Sequence, residues 1–275
     1  MKDTNIREPA VAGRFYPARR VELDATVREY LRRNKSPRNF LAIVMPHAGY
    51  VYSGSVAGAV AASANVPDTA VLIGPNHTGL GARAAVWTSG AWRTPLGDVP
   101  VDEELARELV TGSAILRPDV MAHVREHALE VQLPFLLERN PRLKIVPITL
   151  GGLSLQELRA AGADIARSIA RAREAAGRQI LIVVSSDMNH YLPDALTRQL
   201  DRLAIDAMLE LDPEKLFRTV EEKDLSVCGY QPITAMLEAV RRLGATRAEL
   251  LDYATSGDVS GDLTAVVGYA GLGFE

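Results

Sequence analysis

Three of the chain's five histidines stand just beyond an apolar run: Pro46-His47 after residues 40–45, Pro75-Asn76-His77 after 69–73, and Ser185-Ser186-Asp187-Met188-Asn189-His190 after 179–184. An imidazole placed there is a metal ligand, a proton carrier or a hydrogen-bonded partner of its own turn, and one histidine alone does not choose among these. The lone cysteine, Cys228, widens the choice. Imidazole nitrogen and thiolate sulfur both suit late transition metals. His47, His77 and Cys228 could therefore form a three-ligand site with open positions, favouring iron, zinc or copper over magnesium. Asp187 precedes His190 by three residues, a spacing at which a carboxylate can orient an imidazole acting as general acid or base. The plainer alternatives are an Asp187 that caps a helix, a His190 that only hydrogen-bonds locally and a Cys228 buried as a small apolar side chain. Cys228-Gly229 precedes a proline-containing turn into a helix, and a helix N-terminus favours the thiolate that a metal needs.

Two other motifs compete for the chemistry. His123-Val124-Arg125-Glu126-His127 matches the H-x-x-E-H pattern of inverted zinc proteases, in which both histidines bind zinc from one helical face. That assignment leaves His47, His77 and Cys228 without a role, and Pro134 interrupts the helix expected over residues 124–139. A surface helix, or a segment whose His127 and Glu130 face the main cleft, fits the pattern better. Gly74-Pro75-Asn76-His77 suggests a dinuclear phosphohydrolase, but no Asp-x-His accompanies the first strand and Cys228 is not in a C-x₅-R loop. Glycine-rich phosphate loops are absent as well.

Elements able to position these residues follow from hydrophobic periodicity and punctuation. Residues 5–18 read as an ordered extended arm, 21–33 as an amphipathic helix and 34–39 as a loop. The strand at 40–45 stops at Pro46; Gly49 and Gly54 permit a turn, Ser53 or Ser55 can cap, and small residues at 56–64 form a helix. Residues 80–101 form an excursion of short strands, with 92–97 as a turn-bounded flap. Asp102 caps a helix to about Val110. Residues 143–150 form a strand broken or bent at Pro147, and Ser154 caps a long helix that Gly177 ends. Helices at 195–211, 213–222 and 233–243 precede closing strands at 250–254 and 263–269, with a mobile loop at 256–262 between them. This alternation predicts an α/β fold, a single three-layer α/β/α domain over residues 1–275 with a mixed, largely parallel sheet. Parallel strands bring their exits to a common edge.

Composition sets limits on partners. The 275 residues carry a net charge of −3, with 47% hydrophobic and 24% charged residues, which gives no electrostatic reason to bind nucleic acid or an acidic membrane surface. The first 30 residues contain Arg7, Glu8, Arg14, Arg19, Arg20, Glu22 and Asp24 rather than the apolar core of a signal peptide. No apolar stretch reaches the ~20 residues that span a bilayer, and a cytoplasmic protein is expected.

Read together, Pro46-His47-Ala48-Gly49-Tyr50, Gly74-Pro75-Asn76-His77, Glu126-His127-Ala128-Leu129-Glu130-Val131-Gln132-Leu133-Pro134, Ser185-Ser186-Asp187-Met188-Asn189-His190 and Cys228-Gly229-Tyr230-Gln231-Pro232-Ile233 resemble the Memo family, called AmmeMemoRadiSam system protein B in bacteria and archaea. The resemblance runs from Arg7-Glu8-Pro9 to the last strand. It implies a fold similar to class III extradiol dioxygenases, which open catechol rings at a non-haem iron held by two histidines and a glutamate. Carried over, His47 and His77 match the histidine ligands, Cys228 stands where those enzymes have glutamate, and His190 matches their acid/base histidine. The cysteine is a departure, because a thiolate changes the charge and oxidation chemistry of an iron site. The implied function is metal-dependent, oxygenase-like redox chemistry on a small molecule, with iron as first choice and copper or zinc as alternatives. The other implied function is a non-catalytic adaptor that holds a peptide or protein in the same cleft. A radical SAM pathway partner is also implied; nucleic acid and membrane are not.

Overall fold

The computed structural model describes residues 5–32 and 36–275. Arg33 and the first residues of the expected loop after it fall outside these; the first helix is described over Arg20–Leu31. The core is a nine-stranded mixed sheet. Four strands, buried throughout except at Lys144, form its parallel centre, in the order Ala42–Met45, Ile180–Ser185, Thr69–Pro75, Lys144–Leu150. Their side chains are apolar on both faces, as expected for parallel strands covered on both sides. Met45 pairs with Ser185 and Ile73 with Val184. The three strands that precede His47, His190 and His77 therefore end level with one another.

Antiparallel strands extend both edges. Val266–Phe274 pairs with Ala42–Met45 and carries Ala248–Thr255 and His190–Leu192, while Ala84–Val86 pairs with Lys144–Leu150. Helix Tyr50–Ser63 packs on Ala42–Met45 and Val266–Phe274; Tyr230–Arg242 packs on the parallel strands with Leu155–Ala176 behind it. The result is the expected α/β/α layering of a mixed sheet. The long helix has a full capping box between Ser154 and Glu157 and ends at Gly177 with φ 62°, the left-handed conformation that glycine adopts without cost. No helix of the described residues is long and apolar enough to cross a membrane.

Several local expectations are corrected. Trp92 is fully buried rather than part of a flap: Ile6–Arg7 adds to Ala91–Thr94 as a parallel strand, and the Arg7 guanidinium lies 4.3 Å over the indole. Pro147 does not break its strand, which runs unbroken past it with Pro147 in register with Leu72. The helix expected over 124–139 is instead a short turn at Met121–Val124, a 3₁₀ turn at Glu130–Gln132 and a helix at Leu133–Arg139 with Pro134 in its first turn, where a missing N–H costs nothing. Helix Tyr50–Ser63 starts before the serines expected to cap it; Ser53 donates to the Ala48 carbonyl at 2.9 Å instead. The 256–262 loop holds a short helix at Gly257–Ser260.

Candidate metal centre

His47 leaves its strand directly into the site. Its backbone N–H donates to Asp187 Oδ1 at 2.7 Å, its Nδ1 lies 2.7 Å from Ser185 Oγ, and its Nε2 lies 3.2 Å from Cys228 Sγ. The ring is buried. Burial first, and then the neighbouring His77, His127 and His190, push its pKa well below the ordinary imidazole range.

His77 is held by Glu126, which accepts from its backbone N–H at 2.6 Å and from Nδ1 at 2.9 Å. A carboxylate that accepts at Nδ1 leaves Nε2 with the free lone pair, the usual way in which a metal-binding histidine is oriented. Burial alone lowers the His77 pKa, but the Glu126 hydrogen bond and charge outweigh it and the net shift is upward. Burial likewise raises Glu126, and the His77 bond and charge reverse it to a net lowering. Glu126 Oε1 also accepts from the N–H groups of His127 and Ala128, each at 2.9 Å.

That turn delivers a further imidazole. The His127 ring stacks on His77 with centroids 4.9 Å apart and meets His47 edge-on at 5.4 Å. Ligand atoms of His47, His77 and His127 all lie within 4.8 Å of one another. Burial lowers the His127 pKa despite the adjacent Glu126, so the neutral, metal-binding form is favoured. The residues present fit a metal ion: the cluster offers imidazole nitrogens with a thiol beside His47, a donor set for late transition metals.

Cys228 reaches the site because Gly229 follows it. A Cβ on Gly229 would stand 2.4 Å from Ser186 Cβ and 2.5 Å from the Ser185 carbonyl, closer than real atoms approach. Gly229 N–H donates to Ser186 Oγ at 3.0 Å, and Asp187 N–H points to Cys228 Sγ at 3.2 Å. Burial and the Asp187 charge push the thiol pKa up without a cation beside it. Asp187 itself is raised to about 6 by burial, against the pull of the His47 N–H.

His190 lies at the half-buried rim. Its Nδ1 donates to the Ser226 carbonyl at 2.9 Å, and its backbone N–H donates to Ser226 Oγ at 2.9 Å. The expected Asp187 orientation of this ring is therefore replaced by a Ser226 carbonyl, while the Asp187 carboxylate accepts from His47 and Ala48. Asn189 supports the arrangement by accepting from Ser226 N–H at 2.9 Å, and Asp201 holds the Asn189 amide at 2.7 Å.

The H-x-x-E-H motif does not make a zinc site. His123 is fully buried against Trp87 and Trp92, while His127 faces His47 and His77. Neither His123 ring nitrogen makes a well-formed hydrogen bond among the described residues, and burial, reinforced by the Arg7 charge and only partly offset by the Ala85 backbone, pushes its pKa down to about 3. A base depressed on folding contributes stability that is full above its unfolded pKa and is lost as pH falls from there toward its folded value. Replacing His123 with Phe should leave stability at pH 7 equal or higher, and should reduce the loss between pH 7 and pH 4 by roughly 3 kcal/mol. Urea unfolding of both proteins across that range checks this; parallel pH profiles would contradict it.

Sequence reasoning anticipated His47, His77 and Cys228 near one another, but it treated His127 only as a residue facing the cleft. Glu126, Ser185 and Gln132 were missed as supports. A polar Gln132 inside Val131-Gln132-Leu133-Pro134 and a polar Ser185 closing an apolar strand were the available signals. Glu130 does not face the cleft. It is fully buried and accepts from Arg7 at 2.7 Å, Tyr16 at 2.6 Å and the N–H groups of Ala10 and Val11 at 2.7 and 3.0 Å.

The chain as a whole is similar to known proteins. Residues 7–273 match the sequence profile of the family described as Memo-like protein. A MEMO1 family protein from Methanosarcina barkeri is 46% identical, with 97% of this chain and 99% of that one covered. Another from Archaeoglobus fulgidus is also 46% identical, covering 98% and 100%. Among solved structures, an uncharacterized protein of Escherichia coli K12 shares the fold with a TM-score of 0.56 at 15% identity, over 84% of this chain and 99% of that one.

Proposed function

The chain belongs to the Memo-like protein family, and from that premise we propose that it holds one late transition metal, iron in preference to copper or zinc, and uses it for oxygenase-like redox chemistry on a small molecule. The observation that carries this reading is the meeting of His47, His77 and His127 within 4.8 Å, with the chain's one thiol 3.2 Å from His47 Nε2. His47, His77 and Cys228 are the proposed ligands, with His127 as a further nitrogen donor. Bound there, the metal would supply a Lewis-acidic, redox-active centre. Glu126 holds the His77 ring, and Asp187 holds the turn that carries His47. His190, whose Nδ1–H is tied to Ser226, keeps Nε2 free to take or give a proton at the rim.

Anaerobic loading with Fe²⁺, followed by dioxygen-uptake assays across a panel of small aromatic and aliphatic metabolites, tests the proposal. Uptake no greater than that of a His47→Ala control with every compound would contradict it. His190→Ala should retain the wild-type metal content while turnover falls by at least ~10²-fold. Loss of most metal from that variant would make His190 a ligand instead.

The adaptor reading is favoured by one observation: apolar and aromatic side chains are exposed beside the site residues. Tyr191, adjacent to His190, is 77% exposed, and Val51 and Tyr52 are 69% and 43% exposed on the helix after His47. Peptide capture that persists after chelation and is lost in Tyr191→Ser would support it.

A further inference from the structure

We propose that Ser185, oriented by Gln132, is a positioning residue that fixes which nitrogen of His47 carries the proton, and so presents the Nε2 lone pair to the candidate metal site. The proposal rests on the metal-binding reading of the site and on the hydrogens available around Ser185 Oγ. Gln132 lies 2.9 Å from the Pro46 carbonyl, which can only accept, so the amide atom facing Pro46 is the Nε2 donor. The same Nε2 lies 2.8 Å from Ser185 Oγ and gives that oxygen its second hydrogen. Ser185 Oγ also lies 2.7 Å from the Ala128 carbonyl. Since that carbonyl too can only accept, the single hydroxyl hydrogen of Ser185 points to it. The hydroxyl has then no hydrogen left for His47 Nδ1, which lies 2.7 Å away. The contact closes only if His47 carries its proton on Nδ1 and donates it.

The consequence appears on the other side of the ring, where Nε2 is left unprotonated 3.2 Å from Cys228 Sγ. Free neutral histidine prefers the opposite tautomer, so the network reverses the default. Gln132 Oε1 supports the assignment in another way. It is buried without a partner among the described residues, a cost that a purely space-filling residue would not carry. The donors of this amide are what the site uses. Ser185 is in strand register with Met45, so the lock is built into the sheet itself.

The test uses full-length, metal-free protein labelled with ¹⁵N-histidine at neutral pH, with the His47 resonances assigned by their absence from His47→Gln. Wild type should show a protonated Nδ1 and an unprotonated Nε2 at His47. Ser185→Ala should shift the ring toward the Nε2–H form and weaken Zn²⁺ binding by ~10–100-fold, the range for loss of a partner behind a metal-binding histidine. Ser185→Thr, which keeps the hydroxyl, should restore both. A wild-type His47 protonated on Nε2 would overturn the proposal, and this holds even if Ser185→Ala fails to fold. Unchanged tautomer and Zn²⁺ affinity in a folded Ser185→Ala would also overturn it. Wild-type protein with the expected tautomer but no Zn²⁺ uptake would instead remove the metal reading and leave the lock supported.

Discussion

Metal content of the His47→Ala variant is expected to fall to background after anaerobic loading with Fe²⁺ or Zn²⁺, with apparent affinity lowered by more than ~10³-fold. Loss of a residue behind a ligand costs 10–100-fold, and loss of a ligand should cost more. His47 has this leverage because it touches both possible third donors. Its Nε2 is 3.2 Å from Cys228 Sγ, and its ring is 5.4 Å from His127. The companion variants separate those donors. Cys228→Ser should lose most metal and shift preference away from soft ions, and wild-type loading should release protons as the buried thiol ionises. If Cys228→Ser loads like wild type while His127→Ala does not, the third ligand is His127. Retention of stoichiometric metal in His47→Ala would remove the site altogether.

The second large effect lies away from the metal. Glu130→Ala should destabilise the fold by about 3–5 kcal/mol, the range for breaking a buried ion pair and stranding its partner. Arg7 and Glu130 are each at most 2% exposed and lie 2.7 Å apart. Arg7 also donates to the His123 carbonyl at 2.8 Å and to the Glu126 carbonyl. Losing its carboxylate partner should therefore loosen the segment that carries Glu126 and His127, and metal affinity should fall with stability. Denaturant midpoints and metal content of the refolded variant measure both effects. A loss below ~1 kcal/mol, the scale of an exposed pair, would show that the arm is not tied through this carboxylate. Glu130→Gln keeps an acceptor for Tyr16 and the arm's N–H groups, so it should be milder.

Sequence alone determined the features that depend on near neighbours. Branched apolar runs ending before His47, His77 and His190 are strands with polar exits, and Ser154, Glu157 and Gly177 bound a helix through contacts within one turn. The motifs also point to His47, His77 and Cys228 as one group; the structure brings Cys228 to His47 and gathers His47, His77 and His127. Tertiary structure decided the pairings between residues far apart in the chain. Glu126 holds His77 across 49 residues, and Cys228 meets His47 across 181. His123 and His127 share a motif but occupy different surroundings, because the chain turns between them to close Glu126 on His77. Trp92 looked like part of a surface turn until Ile6–Arg7 covered it. In each case the outcome depends on which strands become neighbours. That choice is settled by burying the whole sheet at once, and no short stretch of sequence encodes it.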